Sequence, residues 1–324
     1  MLILRAWFAG VLRVVRAPLV VAGVYLLTLL LTVPVGALLQ RSLPPPETVD
    51  VLDSNDPPAP DMDWLDEVST SVPGLARFLS PEIIGAAAPM MNVSAILDGT
   101  RPPLAGLVAI AAFFLCWTAL WGGVITRLSR GSAIGLRAFV AASRHSAPGL
   151  FRLGVAGGVF YVSLYATAHA VMFGPLYDWL TAGAIERTAF LWRAALAGVF
   201  GVALLAISQV LDYARLEIVA GSLGVRQAVA RGAAMVWQQP VAVAGVLLLN
   251  GICFVVLIAG YAASEFVPGG SVPSLSRLLL AGQALILGRL ILRMVLAAAQ
   301  VELHQRIARS DLLRNHPSPA ARQG

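Results

Sequence analysis

Six apolar segments, each about 20 residues long, dominate the chain and constrain its fold more than any other feature. They cover residues 18–40, 104–126, 151–173, 190–211, 241–262 and 278–299. A bilayer core about 30 Å thick is crossed by about 20 apolar residues in a helix, which satisfies its own backbone hydrogen bonds in lipid. The segments therefore predict an all-α fold: a polytopic membrane helical bundle of about six transmembrane helices, with interfacial amphipathic helices beside them.

The charged fraction supports this class of protein. Charged residues make up 12% of the 324 residues, whereas soluble domains carry roughly 25%. We expect one membrane domain over residues 1–324. Its parts are a cytoplasmic interfacial helix (1–16), an extracytoplasmic segment (41–103), a five-span core (104–300) and a cytoplasmic tail (301–324).

Arginine distribution predicts the orientation. All 23 basic residues are Arg, and an N-terminus inside puts 15 of them on cytoplasmic segments and 6 outside. This positive-inside bias predicts that both termini are cytoplasmic. The absence of Lys beside abundant Ala, Gly, Val and Leu indicates a GC-rich bacterial genome, and hence the inner membrane. Basic loops beside membrane helices also explain the pI near 10 without a nucleic acid partner.

Residues 1–16 form a separate amphipathic pattern. Arg5, Arg13 and Arg16 fall on one side of a helix. The apolar residues on the other side are Leu4, Trp7, Phe8, Val11, Val14 and Val15. The pattern predicts a helix in the cytoplasmic interface with its Arg side chains toward headgroups, and the alternative is a helix that binds a partner.

The segment 41–103 begins with a proline-rich, acidic stretch that predicts an extended linker. Residues 61–79 and 81–97 have the spacing of short helices on the outer interface. The first of these carries four carboxylates, Asp61, Asp63, Asp66 and Glu67. They match no calcium-loop pattern, so we interpret them as a solvated acidic face, with a divalent-cation site as the alternative.

Two predicted cytoplasmic loops share a sequence pattern. Residues 131–141 and 221–230 both contain, with one gap, Gly-Ser, an aliphatic residue, Gly, an aliphatic residue and Arg. Each precedes a short semi-polar helix and then a new span, which predicts a parallel duplication of two helical hairpins. A turn followed by a helix start explains the Gly-Ser pair without a ligand.

These loops and their flanks carry a family resemblance. The features are Trp121-Gly122-Gly123 at the end of the second span, the Arg-containing loop with Phe139, and the run 211–215 (Leu-Asp-Tyr-Ala-Arg) before the Gly221 loop. This layout resembles a broad group of bacterial six-span membrane proteins of unknown function. It is also similar to the membrane domain of some glycerophosphodiester phosphodiesterases. Because no soluble phosphodiesterase domain is attached in this sequence, the resemblance implies a fold and no activity.

Ionisable residues inside the predicted spans are the candidate functional groups, since charges at membrane depth are costly. The sixth span carries a polar stripe of Arg289, Arg293, Gln300 and His304. The fourth span offers Gln209, Asp212 and Glu217 at similar depth, with Ser208 beside them. We predict an Asp212–Arg293 pair that pins the two helices together. The alternative is a positive patch for an anionic lipid headgroup or substrate, with Arg289 as a donor.

No catalytic pattern accompanies this cluster. The chain lacks a P-loop, His-Glu-x-x-His and Gly-x-Ser-x-Gly, and its four His residues have no ligand spacing. We therefore predict no cofactor, metal site or catalytic residues, and the enzyme class is disfavoured. The predicted function is a non-catalytic accessory, scaffold or assembly subunit whose partners are membrane lipids and other membrane subunits. The alternative is a small transporter or channel for an anionic or amphipathic solute, with a cavity lined by Arg289, Arg293, Gln209 and Asn250.

Overall fold

The structure is a computed structural model that describes residues 1–42, 94, 96–99, 104–221, 223–265 and 275–315. Within these ranges the chain is helical and forms no strands. Its helices are α1 (Leu2–Val15), α2 (Pro18–Ser42), α3 (Leu104–Arg130), α4 (Leu136–Leu164), α5 (Tyr177–Thr181), α6 (Glu186–Gly221), α7 (Val225–Gln238), α8 (Pro240–Glu265) and α9 (Leu275–Asn315). Two π-helical turns, Tyr165–His169 and Met172–Leu176, connect α4 to α5.

Within the described residues, five helical stretches are long and apolar enough to cross a membrane. They are Ala111–Arg130, Leu136–Thr181, Glu186–Gly221, Pro240–Ser264 and Leu279–Arg309. A sixth arises if α1 and the Pro18–Pro34 part of α2, which meet at 76°, count as one bent span. The predicted all-α bundle of about six membrane helices is therefore confirmed.

The two similar loops end in the same local structure. Gly135 and Gly224, which follow the gap in the repeat, both occupy the N-cap in an extended conformation, and α4 and α7 begin at the next residue. The continuations differ: α7 ends at Gln238 and α8 starts at Pro240, whereas α4 runs on without a break. The separate semi-polar helix expected before the third span is thus merged with that span in α4. Both segments contain a proline near this point: Pro240 begins α8, a position where the missing backbone donor is tolerated, whereas Pro148 lies inside the unbroken α4.

The first helix packs directly on the last. Ala6, Gly10 and Val14 form its buried face, and a Cβ on Gly10 would lie only 2.8 Å from the backbone nitrogen of Ala299. Arg13 was expected to face lipid headgroups. It instead forms an ion pair with Glu302 of α9 and donates a hydrogen bond of 2.9 Å to the Leu128 carbonyl of α3. Arg13 therefore connects α1 to both α3 and α9. Its positive charge is balanced by the Glu302 carboxylate.

The buried core gathers at the end of the bundle where α3 and α6 terminate. It includes Val124 and Leu128 of α3, Tyr213 of α6, and Met294 and Ala298 of α9. We call this the Arg-rich end, because α3 finishes there with Arg127 and Arg130. Long α9 continues to Asn315, so the segment expected as a tail from residue 301 begins as helix.

Most of the predicted outer segment lies outside the described residues, including its proline-rich stretch, the helix at 61–79 and the four carboxylates of the acidic face. So do most of the helix at 81–97 and residues 316–324. Besides residues 41–42, which end α2, the described part is residues 94 and 96–99, and it packs at the other end of the bundle. There Tyr165 donates a hydrogen bond of 2.6 Å to the Ile96 carbonyl, and Nε2 of His169 lies 2.8 Å from the Leu97 carbonyl.

Candidate functional site

Two adjoining cavities meet at Trp121, Arg215 and Arg293, which line both of them. One has a volume of about 170 Å³ and the other about 320 Å³. Both are partly open at the surface of the bundle. Together we call them the Arg293 groove.

The smaller cavity is mainly aromatic. Phe113, Phe114 and Trp117 of α3 form one wall, and Leu150 and Gly154 of α4 form the other. A Cβ on Gly154 would lie 2.2 Å from the Phe114 ring, so glycine is what allows this ring to lie against α4. The result is a slot with apolar walls between two helices.

The larger cavity is more polar and lies between α6 and α9. Ser208 and Asp212 enter it from α6, and Gln300 enters it from α9. Gln300 is held in place by a buried hydrogen bond of 2.9 Å, in which its Nε2 donates to Oε1 of Gln209. This hydrogen bond joins α6 to α9 next to the groove.

The predicted Asp212–Arg293 ion pair is not formed. Asp212 pairs with Arg215, three residues later on the same helix, and no carboxylate of the described chain lies within 4 Å of the Arg293 guanidinium. Arg215 lies one helical turn from Asp212, so the two side chains can pair without any contact between helices. This explains why Asp212 pairs with Arg215 and not with Arg293. The two residues still line the same cavity.

Arg293 is stabilised by aromatic rings. Its guanidinium carbon lies 4.6 Å from the centre of the Trp117 ring and 5.7 Å from that of Trp121. These distances fit cation–π interactions, which orient a guanidinium without neutralising it. Arg293 is exposed and lines both cavities, so its side chain borders the space that a ligand would occupy.

Arg289 lies apart from the groove. It is exposed, and its guanidinium carbon is 6.0 Å from the centre of the Phe254 ring on α8. Arg289 lines neither cavity, so the stripe of α9 divides into residues that face α8 and residues that face α6.

Glu217 lies nearer the Arg-rich end. Its carboxylate oxygens are 3.6 Å from Nη1 of Arg231 on α7 and 3.5 Å from Nε2 of His304 on α9. Glu217 therefore joins three helices and does not line the groove.

The structure thus unites three of the six predicted site residues, Arg293, Asp212 and Gln300, in one groove, with Gln209 supporting it from behind. The sequence did not single out Trp117 or Arg215 as site residues. One signal was present: Trp117 and Trp121 are four residues apart, which places both rings on one helix face. Their meeting with α9 could not be inferred from that spacing.

The four residues expected to line a transport cavity do not come together. Gln209 is buried in its hydrogen bond with Gln300, and Arg289 lies outside both cavities. Asn250 lines neither cavity, and its Oδ1 is buried without a hydrogen-bond partner among the described residues.

The long apolar helices define this chain as an integral membrane protein of the helical-bundle class, with a half-open groove between its helices. Comparisons with protein-family models, with curated protein sequences and with solved structures found no match. Any function assigned to the groove therefore depends on its own chemistry.

Proposed function

We propose that this chain is a non-catalytic membrane protein, an accessory, scaffold or assembly subunit, that binds the anionic headgroup of a membrane lipid in the Arg293 groove. The observation that carries this proposal is the state of Arg293. Arg293 is exposed and lines a partly open groove, its guanidinium lies over the Trp117 ring, and it has no carboxylate partner in the described chain. A charge at membrane depth is costly, and an anion supplied by the membrane itself offsets that cost.

The two halves of the groove match the two halves of a lipid. Arginine binds phosphate oxygens through paired donors, which suits the polar cavity beside Arg215 and Arg293. The aromatic slot offers Phe113 and Phe114 to a hydrocarbon chain. A soluble anionic solute would use the polar cavity but would have no need of the aromatic slot. This arrangement therefore favours a lipid over a transported solute.

The groove offers little to a hydrolytic enzyme. Ser208 is a hydroxyl that lines it, but the carboxylate nearest in sequence, Asp212, is engaged by Arg215. Within the described ranges, no three His, Cys, Asp or Glu side chains are arranged to hold a metal ion. These features support a binding role, and we propose it for the inner membrane of a bacterium with both termini cytoplasmic.

Substitution of Arg293 by Leu tests the proposal. The full chain would be purified in mild detergent from membranes, and its bound lipids would be counted by native mass spectrometry. Loss of the guanidinium is expected to lower retained anionic lipid by about tenfold, the effect of losing a charge-assisted contact of about 1.4 kcal/mol.

Arg289→Leu provides the matched control, because it removes the same group one turn away on the same helix but outside the groove. It should retain lipid at the wild-type level. Equal lipid retention by the Arg293→Leu variant and the wild-type protein would show that the groove is not a lipid site.

A further inference from the structure

We infer that the lipid of the Arg293 groove has a monoanionic phosphodiester headgroup with uncharged hydroxyl groups, and that the Asp212–Arg215 pair selects this charge. Phosphatidylglycerol has this chemistry. The inference rests on the proposed function and adds to it the class of headgroup.

The charges that line the groove sum to one positive charge. Arg215 and Arg293 are cationic, Asp212 is anionic, and the other lining side chains are neutral. Asp212 and Arg215 form an ion pair, so Arg293 carries the unbalanced charge. Arg289 adds positive potential from one turn away, but it lies over Phe254 and lines neither cavity. A single phosphodiester balances the groove, whereas a phosphomonoester or a double phosphodiester brings surplus negative charge into it.

Polar neighbours of Arg293 match the uncharged part of such a headgroup. The Ser208 hydroxyl lines the larger cavity beside the Tyr161 hydroxyl, with which it interacts, and its oxygen can accept a hydrogen bond from a ligand hydroxyl. The Gln300 side chain also lines it. One Nε2 hydrogen donates to Gln209, which leaves Oε1 to accept from a ligand hydroxyl and the second Nε2 hydrogen to donate. An ammonium headgroup would need a carboxylate, and the one that lines this cavity is engaged by Arg215.

The aromatic slot determines where the hydrocarbon lies. Arg215, Arg293 and Trp121 border both cavities, so a phosphate at the two arginines sits at the junction. From there the slot follows α3 from Trp121 to Phe113, a rise of about 12 Å at 1.5 Å per residue. This length accommodates part of an acyl chain, and its walls carry no charged group besides the two arginines.

The test uses the full chain reconstituted into vesicles that contain equal amounts of phosphatidylglycerol, phosphatidic acid, cardiolipin and phosphatidylethanolamine. After extraction in mild detergent, native mass spectrometry measures which lipids stay bound. The wild-type protein is expected to retain phosphatidylglycerol in excess over each of the others. An excess of inorganic phosphate should leave that lipid bound, because a free anion makes no use of the aromatic slot.

Two substitutions change the groove charge in opposite directions. Asp212→Asn raises it by one, and should shift retention toward phosphatidic acid and cardiolipin by about tenfold, as expected for one added charge at partly buried depth. Arg215→Gln lowers it by one and leaves Asp212 free, so retention should shift toward phosphatidylethanolamine. Size-exclusion profiles establish whether each variant is folded. Because the two expected shifts in lipid preference are opposite, a folded form of either variant is sufficient to test the monoanionic assignment.

The outcomes separate this inference from the proposed function. The expected loss of anionic lipid in Arg293→Leu, with no change of lipid preference in either charge variant, would overturn the monoanionic assignment and leave the lipid site intact. Displacement of the lipid by inorganic phosphate would also overturn the monoanionic assignment, and would identify the groove as a site for soluble anions. Unchanged binding in Arg293→Leu would remove the proposed function itself.

Discussion

Glu217 is a largely buried carboxylate that contacts side chains on two other helices, those of Arg231 and His304. Replacing it by Gln keeps the shape of the side chain but removes the charge that both partners face. We expect Glu217→Gln to lower the free energy of unfolding by about 1 kcal/mol, since an ion pair with a mostly exposed arginine contributes at most about this value.

The thermal unfolding midpoint in detergent measures this effect. Glu186→Gln is the control on the same helix, because Glu186 is exposed at the first turn of α6 and loses only its favourable position near the helix N-terminus. Equal thermal unfolding midpoints for the two variants would mean that the contacts of Glu217 with Arg231 and His304 contribute no stability.

The contact between α1 and α9 is an element-scale feature that depends on a glycine. The Gly10 position touches the backbone of α9, at Ala299 and Val295, so an added methyl group has no space. Close approach through small residues is a general device of membrane helices, which lack a hydrophobic driving force between them. We expect Gly10→Ala to destabilise the docked helix by about 1–3 kcal/mol, the usual cost of overpacking.

Protease accessibility of the first 16 residues measures this docking. The matched control is Gly23→Ala in α2, where an added Cβ would meet nothing within 4 Å. Faster cleavage in the Gly10 variant than in the Gly23 variant is the expected result. Identical cleavage of both variants would contradict tight docking of α1.

The elements themselves followed from sequence to different degrees. The long apolar segments predicted the membrane helices well, because their length is set by the bilayer and not by their neighbours. The start of α4 was harder to place, since its first turns carry Arg137 and Arg144 and lack the apolar character of a span. The docking face of α1 was also missed, because Ala6 and Gly10 are small and hydrophobicity patterns give them little weight.

At the scale of the whole molecule, orientation is the main testable property. The loop between α3 and α4 and the loop between α5 and α6 lie at opposite ends of the bundle, since α4 to α5 runs between them. Positive-inside bias predicts that the first loop is cytoplasmic. After removal of Cys116 and Cys253, a cysteine placed at Ser132 should resist a membrane-impermeant thiol reagent in intact cells, and one placed at Ala182 should react.

Lysed cells supply the control, since both exposed positions should then react equally. Labelling of Ser132→Cys and protection of Ala182→Cys in intact cells would reverse the predicted topology. That result would also move the Arg-rich end, and with it the groove, to the outer side of the membrane.

The sequence alone determined that this chain is a bundle of membrane helices, approximately where those helices lie, and which polar residues lie within them. These properties are local, because apolar length and charge distribution act on each helix independently of its neighbours. Tertiary structure decided the partners. It paired Asp212 with Arg215, stacked Arg293 on Trp117, and turned Arg289 toward α8. The physical reason is that contacts between helices depend on rotation and close packing, for which spacing along one helix sets no unique answer.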